Sequence, residues 1–177
     1  MSKLSMHAIS APMYVALLNN LNTWLDKAEE LSKAKKFDME VLLSARLAPD
    51  MMPLRGQIQI ATAWAKNCQC RLAGQTPPDY PDTDVTLAQL RARIARTIDI
   101  VHSISSADLE GSAEREITVN LGPEIRITQP GVDYLIRLAL PNFYFHVTTA
   151  YDILRHNGLD LGKKDFLVGA IDLPGQK

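Results

Sequence analysis

One change of hydrophobic period constrains this chain more than any other feature. Four long segments repeat apolar residues every three to four positions, while a short segment before the last of them repeats every two. The first period belongs to a helix with one buried face, the second to a strand with one buried face. The expected fold is therefore all-α. It is an up-down-up-down four-helix bundle with a small β-hairpin between the third and fourth helices.

The first helix is marked by Met13, Leu17, Leu21, Trp24, Ala28 and Leu31. Ser10 is its expected N-cap, and Pro12 sits in a first turn that needs no N–H. A short helix capped by Asp38 follows, then a connector over residues 46–50. Asp50 is the expected cap of the second helix, which spans about 51–72 with Pro53 in its first turn. The inward stripe of that helix reads Leu54, Gln57, Ile58, Ala61, Trp64, Ala65, Cys68 and Leu72. A proline-rich loop covers residues 75–84. Thr86 and Gln89 then form a capping box that opens the third helix, whose buried side is Leu87, Leu90, Ile94, Ile98 and Val101. Ile117, Val119 and Leu121 alternate with polar residues, as do Ile125 and Ile127 beyond Gly122 and Pro123, which defines the hairpin. Two strands are marginal alone and must lean on helices.

The fourth helix spans about 131–157, with Gly158 past its end. It carries two apolar stripes. One holds Leu135, Ile136, Ala139, Phe143, Ala150 and Ile153; the other holds Leu140, Tyr144, Val147 and Tyr151. A helix apolar over that much of its circumference is buried on more than one side. The second stripe meets either its equivalent in a partner subunit, giving a homodimer, or the N-terminal segment or the tail after Leu159.

With 177 residues, 46% of them hydrophobic and 22% charged, the chain fits one globular domain, expected over 1–168 with a flexible tail at 169–177. A net charge of -1 gives no field that draws in nucleic acid or an acidic membrane. No run of ~18 apolar residues offers a membrane span, and the first residues lack the apolar core of a signal peptide. The expected location is the cytoplasm. Cys68 and Cys70, two apart on a helix, neither chelate one ion nor pair without strain; they read as a core residue and a surface thiol.

Chemistry concentrates at three amide or imidazole groups. Asn142 and His146 lie four apart on the inward face of the fourth helix, and Gln57 points inward from the second. Buried polar groups need partners, so the three define either a pocket for a polar small molecule or a structural network. Pro141 removes a hydrogen bond just before Asn142 and should kink the helix. No standard metal site is expected, because only His146 is placed to ligate inside the core and catalytic zinc usually takes three protein ligands. Arg46 and Asp50 flank the connector, either as a charged rim to the pocket or as a loop ion pair with an N-cap. Arg91, Arg93 and Arg96 read as a solvated face.

The helix order, the hairpin before the last helix, and His146 followed by Leu154-Arg155 and a loop glycine resemble the DinB-like superfamily. Ala45-Arg46-Leu47-Ala48-Pro49-Asp50-Met51 and the stretch from Leu140-Pro141-Asn142 through His146 to Tyr151 resemble an uncharacterised DinB-related subfamily, a domain of unknown function. The resemblance implies homodimers and often a divalent metal held by three histidines, one on the second helix and two spaced four apart on the fourth. It also implies, for some members, thiol-dependent transferase or hydrolase activity. Carried over by position, His146 matches one fourth-helix ligand, Asn142 stands at the other, and Gln57 stands near the second-helix ligand. The expectation is a small-molecule pocket around Gln57, Asn142 and His146 with no firmly bound metal. The rival is an enzyme in which His146 is the catalytic base or ligates a weakly held divalent ion.

Overall fold

A computed structural model describes residues 4–169 of the chain; residues 170–177, most of the expected tail, lie outside the described residues. The protein is mostly helical, with one small antiparallel sheet. In chain order the elements are α1 (Met6–Lys35), α2 (Glu40–Ser44), α3 (Leu54–Leu72), α4 (Leu87–Ser103), β1 (Glu116–Leu121), β2 (Ile125–Pro130), α5 (Gly131–Asp133), a π turn (Tyr134–Ala139), α6 (Leu140–His156) and α7 (Lys163–Leu167). None of the described helices is long and apolar enough to cross a membrane.

The long helices share one core built on Leu17, Leu21, Trp24, Leu54, Ile58, Leu90, Ile94, Leu135 and Phe143. Their directions follow from the residues they bring together. On α1 and α6, Tyr14 meets Phe143 with ring centroids 4.7 Å apart and Trp24 meets Tyr151 at 5.5 Å, so these helices run parallel. On α3 and the final helical stretch, Gln57 meets His146 and Arg71 meets Tyr134, so these run antiparallel. Arg91 near the start of α4 bonds Asp26 and Glu29 late in α1, while Val101 and His102 share a cleft with Ala11 and Val15, again antiparallel. The order is therefore up, down, down, up, which corrects the expected up-down-up-down alternation. Periodicity tells which face of a helix is apolar but not which neighbour covers it. Parallel α3 and α4 require a crossover, and residues 73–86 supply it. Fourteen extended residues reach roughly 45 Å, against about 28 Å for the length of the 19-residue α3.

Local signals decide several boundaries. Thr86 and Gln89 form the capping box at α4, and the Asp38 carboxylate accepts from the Glu40 N–H at 2.8 Å. Helix α1 starts earlier than expected: Ser5, not Ser10, is its N-cap, accepting from the Ala8 N–H at 3.1 Å, which leaves Pro12 inside the helix. Ser10 is buried, donates to the Met6 carbonyl and accepts from Gln69 Nε2 at 2.8 Å. Asp50 does not cap α3; Pro53 occupies that position and no side chain caps it. Cys70 is buried along with Cys68, so neither is a surface thiol; both are free.

In the hairpin, Val119 pairs with Ile127 and Leu121 with Ile125. Ile117 and Val119 are buried against the helices, but Ile125 near the tip is exposed. The chain returns from β2 at Gly131. A Cβ there would sit 2.0 Å from the Ser112 carbonyl oxygen, so only glycine lets the last helical stretch start against that backbone.

The second stripe of α6 packs in part on its own chain. Val147 is fully buried, and Leu140, Tyr144 and Tyr151 pack partly buried on the core. Helix α7 closes over this side. Phe166 stacks on Trp24 at 5.8 Å and meets Tyr151 at 6.1 Å, Asn20 donates to the Phe166 carbonyl, and Lys27 pairs with Asp165 at 2.6 Å.

Candidate functional site

Gln57 occupies the first turn of α3, and His146 the middle of α6. Gln57 Oε1 and His146 Nδ1 are 2.7 Å apart, while Gln57 Nε2 donates to the Met52 carbonyl at 3.0 Å. A carboxamide oxygen only accepts, so Nδ1 must carry the imidazole proton. That fixes the tautomer and leaves the Nε2 lone pair as an acceptor. No described residue bonds Nε2. Burial disfavours the charged ring and lowers the His146 pKa from 6.5 to about 4, so the ring is neutral at physiological pH. The Phe145 ring stands edge-on to the imidazole at 5.2 Å and is itself exposed. The convergence of Gln57 and His146 therefore holds, although the helices carrying them are antiparallel rather than parallel.

Asn142 does not join the pair through a hydrogen bond. Its Nδ2 donates to the Leu138 carbonyl at 2.8 Å, on its own helix. The cause lies one residue earlier. Pro141 has no N–H to give the preceding turn, and the backbone widens there into the π turn, with Leu140 N–H reaching Leu135 O. The Asn142 amide bonds back to Leu138, within that widened turn. Arg46 is exposed and donates to the Pro49 carbonyl within its own connector at 3.3 Å, and Asp50 is exposed. Among the described residues they form no ion pair with each other, so the expected loop pair is not made.

These donors do not fit a three-ligand metal centre. Both amide ends of Gln57 are engaged, the Asn142 nitrogen is engaged, and only His146 Nε2 remains as a strong donor. Among the described residues no cluster of three or more His, Cys, Asp or Glu side chains is placed to hold a metal.

A second polar cluster was missed from sequence. Arg93 is fully buried, contrary to the solvated face expected for Arg91, Arg93 and Arg96. Its guanidinium donates to Thr62 Oγ1 at 2.8 Å, to the carbonyls of Gln59 and Pro81, to Asp84 at 3.0 Å and to Asp82 at 2.9 Å. Five donors meet five acceptors, three of them on the crossover. The signal was present: Arg93 lies three residues after Leu90 and four before Thr97, on the inward side of α4, and the preceding loop supplies Asp82 and Asp84.

With this geometry in view, the class is that of a mostly helical, DinB-like fold. The chain aligns with the crystal structure of a DinB family member protein from Shewanella denitrificans at 41% identity and a TM-score of 0.86, covering 97% of this chain and 95% of that one. None of the curated proteins matches it. Residues 6–167 match the family described as a domain of unknown function, DUF1993, and the chain belongs to that family.

Proposed function

We propose that this protein is a DinB-like four-helix bundle that binds a polar small molecule through the outward nitrogen of His146, without a three-histidine metal centre. The observation that carries the reading is the 2.7 Å contact between Gln57 and His146. It presents a neutral, oriented imidazole whose Nε2 accepts a hydrogen bond from a ligand N–H or O–H. Asn142 and the Arg46–Asp50 connector lie outside this hydrogen-bonded pair.

A His-based or divalent-metal-dependent enzyme of the thiol transferase or hydrolase type is the second reading, because an open Nε2 also suits a base or a ligand. The pKa of about 4 weighs against the base, since general bases work best with a pKa near the operating pH. Metal analysis of tag-free protein separates the readings: a stoichiometric divalent metal lost in His146→Ala overturns ours. Protein without metal, whose thermal-shift hits among small phenols and amides vanish in His146→Ala, supports it. The reading includes a homodimer. Its contact falls on Leu140 and Tyr144 of the second stripe, which the chain's own packing leaves partly exposed. Sedimentation giving a monomer at micromolar concentration removes that part.

A further inference from the structure

The outer face of α3 carries a groove distinct from the His146 site. Two adjoining clefts of about 280 Å³ and 110 Å³ share Ala63, Asn67 and Arg71, which follow one another at single-turn spacing. The crossover, with Tyr80, forms one wall; Trp64, Val119 and Leu121 form the other. The small Ala63 side chain leaves the floor open.

Two cations line this groove without a counter-charge. Lys66 is only 3% exposed; its ammonium donates to the Pro78 carbonyl and lies 4.0 Å from the Tyr80 ring centre. Arg71 donates to the Tyr134 hydroxyl at 3.1 Å. Among the described residues no carboxylate lies within ion-pair distance of either, whereas Arg93 nearby holds both Asp82 and Asp84. Asp82 at the groove edge is thus already neutralised, and Asp79 is exposed on the rim. A buried cation without an opposite charge is costly, and a ligand anion would supply that charge. Burial, followed by repulsion from Arg93, pushes the Lys66 pKa down.

We infer that this groove binds a small amphipathic carboxylate, its charge between Lys66 and Arg71 and its apolar body against Trp64, Val119 and Leu121. Arg71 offers the planar fork that suits a carboxylate. Trp64, Val119 and Leu121 offer apolar surface that inorganic anions cannot use.

The probe is 2-naphthoate, read by the indole N–H resonance of Trp64, with the fully buried Trp24 as internal control. Binding below about 1 mM that moves Trp64 and leaves Trp24 still is expected. Neutral 2-naphthol should bind at least about tenfold more weakly, because it cannot satisfy the cations. Lys66→Met should keep the fold and lose about tenfold or more in naphthoate affinity. Arg71→Gln carries the same expectation and decides the matter if Lys66→Met does not fold. Absence of naphthoate binding to the native chain, equal affinity in the folded variants, or equal binding of naphthol overturns the inference. Displacement of naphthoate by equimolar inorganic phosphate also overturns it, since the groove would then read charge alone.

Discussion

Two polar clusters meet α3 within about a turn and a half of each other, one at Gln57 and the other at Thr62, and they differ in completeness. Around Arg93 every guanidinium donor has an acceptor, and the cluster ties α3 and α4 to the crossover. Around His146 only one ring nitrogen is engaged. A satisfied network fixes structure; an oriented group with a spare lone pair is available to something else. The difference separates the buried polar cluster that holds the fold from the one we propose takes a ligand.

The comparison sharpens under substitution. Arg93→Met should have the largest effect, because it leaves Asp82, Asp84, Thr62 and the Pro81 and Gln59 carbonyls without their donor. The mostly buried Asp84 carboxylate is left without its partner, a loss of roughly 3 kcal/mol that denaturant unfolding would read directly. A loss below about 1 kcal/mol would mean that the crossover does not depend on the network. Gln57→Leu should cost less, about 2 kcal/mol, since two hydrogen bonds of about 1 kcal/mol each are lost. It should also release the tautomer lock, so that nitrogen NMR of His146 shows both neutral forms.

The His146 cluster carries a pH dependence. Its folded pKa lies below the unfolded value, so the unfolded chain binds the proton more tightly. His146 therefore contributes stability that is complete above about pH 6.5 and is lost as pH falls towards 4. Relative to the native chain, His146→Gln should gain stability over that window, measured by unfolding at pH 7 and pH 4.5. No relative change would mean that the ring is not held neutral. Asn142→Ala should have the smallest effect, about 0.5 kcal/mol or less, with binding at His146 unaltered, because its amide serves the Leu138 carbonyl. Loss of binding in that variant would return Asn142 to the site.

What could be read from sequence was local. The Thr86–Gln89 capping box, the Asp38 turn, the inward faces of Gln57 and His146, and the hairpin all follow from spacings within a few residues. The direction of each helix depends on how far a loop reaches, and nothing in the apolar period encodes that. The same limit left the cover over Tyr151 open between a partner, the N-terminal segment and the tail after Leu159; Phe166 on the short α7 supplies it. Arg93 escaped because charged residues near Arg91 and Arg96 suggest solvent, although its place between Leu90 and Ile94 pointed inward. The spacing of Asn142 from His146 fits the site, but its amide bonds the Leu138 carbonyl of its own helix instead.

The account turns on the state of one ring. Two-bond nitrogen–proton NMR of His146 across pH 3.5–8 reads both its tautomer and its pKa. The account predicts a neutral Nδ1–H ring down to about pH 4, with Nε2 unprotonated and shifting when ligand binds. A ring that titrates near 6.5, or carries its proton on Nε2, would contradict it.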